Sequence, residues 1–225
     1  MTEFGAPPGS FPPPVPPPPP TAGARTGPPW EGTGPAVQRF IDTAKGVLLD
    51  PTTTFRNLRR EGGLGGPVTY YLIGTLLSVV AQSVWQLAGL GSGFEQYGYG
   101  GGFLSSLILG AVAVLAGLFI GSGIVHLFLM LLGGARFPFE ATLRTLAYAH
   151  GSAAPIGIVP FCGGFVAMIW GIIAAIIGLA QVHETSTGKA AGAVLIPFVL
   201  CCALLAIFAT AGVLAMLGIA AAANR

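Results

Sequence analysis

Charge is what this sequence has least of. Asp, Glu, Lys and Arg make up 8% of its 225 residues, against about 25% in a soluble domain. So little charge cannot clothe a globule in water, which excludes an ordinary soluble fold. The net charge of +2 gives nucleic acid no basic face to bind. Cysteine is equally scarce. Cys162, Cys201 and Cys202 lie in apolar stretches, without C-x-x-C or Cys/His spacing, so neither a zinc module nor a disulfide framework is expected. The first 66 residues contain no basic region followed by an apolar core. No cleavable leader is therefore expected, and the first span should itself target the chain to the membrane.

Apolar residues fill the place of charge: they make up 53% of the chain, with 35 glycines, and the mean hydropathy is +0.76. Four stretches carry no charge at all: 62–94, 96–135, 145–183 and 190–224. Each exceeds the roughly 20 helical residues needed to cross a bilayer core. The first, second and fourth give spans at 67–90, 104–132 and 190–218. The third is long enough to cross twice, reversing near Pro160, Gly163 and Gly164. Loop charge favours that reading. Lys45, Arg56, Arg59 and Arg60 place the N-terminus inside, the loop around Glu95 has no Lys or Arg, Arg136 and Arg144 place the next loop inside, and Lys189 returns to the inner side only if 145–183 is a hairpin. The expected fold is an all-α membrane protein of five transmembrane helices, N-terminus cytoplasmic and C-terminus outside.

Three regions follow. Residues 1–36 hold 13 of the 19 prolines and are expected to form a disordered tail of polyproline II character. Residues 37–62 should form two short amphipathic helices. Val37, Phe40, Ile41, Ala44, Val47 and Leu48 make one helical stripe, and Asp50-Pro51 is a helix-start signal. These helices are expected to lie on the membrane surface, apolar side down, with Arg56, Arg59 and Arg60 contacting lipid headgroups or a partner. Residues 67–219 form the membrane domain. Within it, Ala113, Gly117 and Gly121, and likewise Gly171 and Ala175, have the small-residue spacing of close helix crossings.

Polar groups inside spans are the candidates for chemistry: Gln82, Gln86, His126, Tyr148, His150 and Ser152. His126 and His150 fall at equal depth on either side of Pro138, so His126, Tyr148 and His150 form the candidate intramembrane cluster. Two histidines without a nearby carboxylate or thiolate fall short of a metal site. Gly121-Ser122-Gly123 lacks the context of a serine nucleophile and a charged group to orient a base. No catalytic residue, metal or cofactor is expected. Glu140 and Arg144 are spaced as an i, i+4 pair, Gly133-Gly134 as a helix cap, and His183, Glu184 and Lys189 as a solvated connector.

Asp50-Pro51 with Phe55, Gly66-Pro67, His126-Leu127 through Gly133-Gly134, and Thr142-Leu143-Arg144 with Ala147-Tyr148-Ala149 stand in a particular order. Ala154-Pro155, Pro160, Ile169-Trp170, Gly178-Leu179, His183, Gly188-Lys189-Ala190 and Leu195-Ile196-Pro197 follow them. This succession resembles the Yip family of Ypt/Rab-interacting membrane proteins, and most of all its prokaryotic branch, over residues 45–215. The resemblance implies five spans with a cytosolic N-terminus, and in eukaryotic members a part in vesicle traffic through small GTPases. The expected function is a scaffold or adaptor in a bacterial cytoplasmic membrane, with the bilayer, protein partners and a second copy of itself as partners. The alternative is a channel or small-solute permease lined by His126, Tyr148 and His150.

Overall fold

A computed structural model of the chain describes residues 25–88 and 103–223. The proline run Pro16–Pro20 and the loop around Glu95, with Tyr97 and Tyr99, lie outside the described residues. All regular structure among the described residues is helical: α1 (Ala36–Leu49), α2 (Pro51–Arg56), α3 (Gly65–Leu87), α4 (Phe103–Leu131), α5 (Phe139–Ala153), α6 (Gly163–Val182) and α7 (Thr187–Ala223). Short 3-10 turns at Pro29–Glu31 and Ala154–Ile158 complete it. Four helices, α3, α4, α6 and α7, are long and apolar enough to cross a membrane.

Local chemistry sets the boundaries. The Asp50 carboxylate accepts the Thr53 N–H at 3.2 Å, and Pro51, with no N–H to lose, opens α2. Gly133 ends α4 at φ +63°, its N–H and that of Gly134 donating to Met130 and Leu129. The helix α7 continues through Pro197.

The uncharged run 145–183 contains a reversal. The 3-10 turn after α5 and Phe161 at φ +65° bring α6 back antiparallel to α5. Thr142 faces His183, Thr145 faces Gly178, and His150 faces Gly171. The ascending arm starts earlier than the run of uncharged residues indicates, at Phe139, and takes both Glu140 and Arg144 into the helix. A charged residue inside α5 is possible because this helix meets protein on every side. Residues 141–149 are all buried, packed by α1, α3, α4 and α6. The other long helices face outward with rows of Leu, Val, Ile and Phe, as lipid-facing helices do.

Small residues set how closely the helices meet α5, but not all where expected. A Cβ on Gly74 of α3 would lie 2.1 Å from the Gly151 carbonyl oxygen, and one on Gly171 would lie 2.7 Å from the His150 ring. Gly117 and Gly121 of α4, by contrast, have nothing within 4 Å of such an atom, so that stripe borders open space rather than a crossing.

Two expectations for the N-terminal region are corrected. The apolar faces of α1 and α2 turn in large part into the protein: Val47, Phe55 and Leu58 are buried in the main core, with Phe40 against Tyr70, while Val37 and Ile41 of the stripe stay exposed. The end of the bundle offers these faces a protein surface, and Phe55 packs on the bare backbone of Gly178. Order also begins well before residue 37, because Arg25–Pro35 folds across the same end of the bundle. Trp30 donates its indole N–H to the Gly66 carbonyl at 2.8 Å and its backbone N–H to Thr43 at 2.8 Å. Composition alone assigns these residues to the tail, since prolines and glycines surround Trp30.

Candidate functional site: a polar cap at one end of the bundle

Every charged side chain of the described residues lies at the end where α3, α5 and α7 begin and α4 and α6 finish. The strap Arg25–Pro35, α1 and α2 close over this end, and two buried polar networks sit beneath them.

The first network is centred on Arg144, whose side chain is only 1% exposed. One turn of α5 beyond Glu140, it points under the strap. There its guanidinium donates to the Arg59 carbonyl at 2.9 Å, the Gly63 carbonyl at 2.6 Å and the Glu31 carboxylate. The i, i+4 partner Glu140 stands 3.6 Å away and itself accepts the Gly63 N–H. The Tyr148 hydroxyl donates to the same Glu31 oxygen at 2.7 Å. Aromatic rings wall the site, Tyr148 against Tyr70 and Tyr70 against Trp30, while Tyr70 and Ser152 share a hydrogen bond of 2.8 Å. A buried charge pair costs stability unless hydrogen bonds offset its desolvation, and each of the three guanidinium nitrogens of Arg144 has an acceptor.

The second network joins α4, α5 and the α6–α7 connection. The Phe137 N–H donates to His183 Nδ1 at 3.4 Å, so the proton of neutral His183 sits on Nε2, which donates to Thr142 Oγ1 at 2.9 Å. The Thr142 hydroxyl is then free to donate to His126 Nδ1 at 2.8 Å. Arg60 lies 3.5 Å over the Phe137 ring, donates to the Val182 carbonyl and pairs with Glu184. Burial, with His126 and Arg60 adding to it, lowers the His183 pKa to about 4. Its hydrogen bond with Arg60 holds Glu184 below the usual carboxylate range.

Sequence reasoning and geometry part company over the predicted cluster. His126, Tyr148 and His150 are not brought together. His126 meets Thr142, Tyr148 meets Glu31, and His150 lies against Gly171. Residues 148 and 150 point about 200° apart on one helix, and α5, begun at Phe139, places Thr142 rather than His150 level with His126. The basic trio also divides. Arg56 and Arg59 side chains are exposed, whereas Arg60 is engaged inside the cap. The supposed connector is in fact structural: His183 is buried and Lys189 donates to the Gly133 carbonyl at 3.0 Å. Glu31, Thr142 and His183 were missed as site residues. The one signal for Glu31 was Trp30-Glu31, an aromatic-acid pair alone among prolines and glycines.

As chemistry the cap is a fastening. Among the described residues no three His, Cys, Asp or Glu side chains converge to hold a metal. One consequence is measurable. The folded His183 binds its proton more weakly than an unfolded histidine, at about 4 against about 6.5. The unfolded state therefore takes up protons first, and stability is expected to fall as pH drops from 6.5 towards 4. Unfolding midpoints in detergent at pH 7 and pH 5 check this: His183→Gln should flatten the difference, and an unchanged slope in that variant would assign it elsewhere.

One family model matches the sequence. The Yip1 domain aligns with residues 45–222. The chain belongs to the Yip1 family. It is thus an integral membrane protein, with α3, α4, α6 and α7 as membrane-spanning helices. No curated protein and no solved structure matches it. In this Yip1 domain the match begins at Lys45, so Trp30 and Glu31, which complete the Arg144 site, are an extension of this chain beyond the matched region.

Proposed function

We propose that this Yip1-family protein is a membrane scaffold or adaptor whose cap recruits partners at the cytoplasmic face. The observation that carries the reading is the cap itself: rigidly fastened, and carrying every Lys and Arg of the described residues, with Arg56 and Arg59 directed outward from it. By the positive-inside rule that end is cytoplasmic. With α5 and its 3-10 extension as a fifth, protein-enclosed crossing, the bundle passes through the bilayer five times and the C-terminus lies outside. The proline-rich stretch, in place of the long hydrophilic N-terminal region of eukaryotic members, supports the prokaryotic branch and a bacterial cytoplasmic membrane.

Photo-crosslinkers introduced at Arg56 and Arg59 in native membranes test recruitment. The expected result is one discrete protein adduct from both sites; capture of lipid alone would overturn the adaptor role. A reporter fused after Arg225 should be active only on the non-cytoplasmic side, and activity on the cytoplasmic side would overturn the five-span reading.

A further inference from the structure

Two adjacent side chains of the strap, Trp30 and Glu31, enter a socket between α1, α3 and α5. The indole stands edge-on to Tyr70 at 5.7 Å and to Phe40 at 6.3 Å, with the Arg39 guanidinium 5.2 Å over its ring. Its N–H is met by the Gly66 carbonyl. One residue on, a single oxygen of Glu31 accepts from both the Arg144 guanidinium and the Tyr148 hydroxyl. A socket that offers a carbonyl to an indole and two convergent donors to an acid selects an aromatic residue followed by a carboxylate.

Three features mark this pair as a ligand of the bundle rather than part of its frame. Occupant and socket come from different parts of the chain: Gly66, Tyr70, Arg144 and Tyr148 lie within the 45–222 match, and Trp30 and Glu31 lie outside it. The domain thus supplies the donors, while the acceptor for the Tyr148 hydroxyl and for one arm of Arg144 comes from the strap. The rest of the strap is lightly held. Beyond the pair, its hydrogen bonds to the bundle are Gly27 to the Asn57 carbonyl at 2.9 Å, Arg39 to the Gly32 carbonyl at 3.0 Å, and those of Arg25 at 3.3 to 3.4 Å. Thr26, Pro29 and residues 32–36 are exposed. Finally, the strap joins α1 through Gly34, at φ +119° and with nothing within 4 Å of where a Cβ would stand, a joint with the freedom to swing.

We propose that the socket is a docking site for a segment of a cytosolic protein that carries an aromatic residue followed by Asp or Glu, and that Trp30-Glu31 fills it in cis until such a segment displaces the strap. The proposal rests on the adaptor reading and gives its partner a chemistry. A strap tethered beside its own pocket competes at an effective concentration of roughly millimolar order. A partner therefore meets only the open fraction of sockets, and its apparent affinity is reduced by that fraction. Loosening the strap raises the affinity correspondingly. A lipid phosphate would meet Arg144 but leave the indole site empty, so the occupant is a peptide.

The probe is a fluorescent peptide with the sequence of residues 25–36, titrated against the full-length protein in detergent micelles. Glu31→Gln keeps the shape of the strap and gives up a charge-assisted bond, which is about twice as strong as a neutral one. That variant should bind the peptide about tenfold more tightly than the wild type, and the same peptide carrying Glu31→Gln should bind it about tenfold more weakly. The double variant Arg144→Met, Glu31→Met should elute as the wild type does and bind no peptide. If Glu31→Gln does not fold, Trp30→Phe, which keeps a ring and loses the N–H to Gly66, takes its place and should also bind more tightly than the wild type. Equal affinity of wild type and strap-weakened protein, undiminished binding by the double variant, or displacement by phosphatidylglycerol as effective as by unlabelled peptide would each overturn the socket. The adaptor reading fails separately. Discrete adducts from Arg56 and Arg59 with no peptide bound would sink the socket alone, and peptide bound with lipid-only adducts would support the socket and sink recruitment at that outer face.

Discussion

Arg144→Ala is expected to destabilise the protein by about 3–5 kcal/mol, the cost of leaving one member of a buried ion pair alone. The size follows from what the guanidinium holds. Its removal strands the Glu31 carboxylate, whose side chain is 11% exposed, and leaves the Arg59 and Gly63 carbonyls without their donor. The strap, the α2–α3 connection and α5 lose their common fastening together. Glu31→Gln should cost less, since the amide oxygen still accepts from Arg144 and Tyr148. Arg144→Met combined with Glu31→Met should recover most of the loss, because no unpaired charge is then buried. Thermal or denaturant unfolding of the four proteins in detergent provides the comparison. A loss under about 1 kcal/mol for Arg144→Ala, the range of exposed pairs, would mean that water reaches the site.

The second large effect is steric. Gly74→Ala places a methyl 2.1 Å from the Gly151 carbonyl oxygen, and backbone cannot swing aside as a side chain does. Overpacking a core ordinarily costs about 1–3 kcal/mol; here α3 and α5 must separate, so the effect should reach or exceed the upper end. Gly121→Ala, the same change on a helix of the same bundle, meets nothing within 4 Å and should be neutral. Monodispersity on size exclusion and the unfolding temperature distinguish the two. Equal behaviour would show that the α3–α5 crossing is looser than 2.1 Å implies.

The long helices and the reversal were legible because both leave a trace in local order. Lipid demands continuous apolar runs, and Pro160, Gly163 and Gly164 break one of them. The α2 start at Asp50-Pro51 and the Gly133 cap were legible for the same reason: each contact spans only a few residues. The interior of the cap was not legible. Arg144 reads as a loop charge because the uncharged run begins after it, yet it lies inside the most enclosed helix. Its partner Glu31 is 113 residues away, in a stretch whose composition signals disorder. His150 was placed beside His126 by counting from the wrong helix start. Such errors arise where burial against protein, rather than against lipid, decides which face of a helix carries a polar group.

The enclosure of α5 also bears on how the molecule is built. Arg144 stands five residues into α5, at the charged end of the bundle, so its carboxylate partner arrives only when the strap folds over that end. Arg144 is synthesised in the α5–α6 hairpin, after α3 and α4. Glu31 is synthesised long before this and has no counter-ion until that hairpin arrives. Closure of the strap thus marks the completion of assembly, and an immature chain would display the Glu31 carboxylate openly to the quality-control proteases.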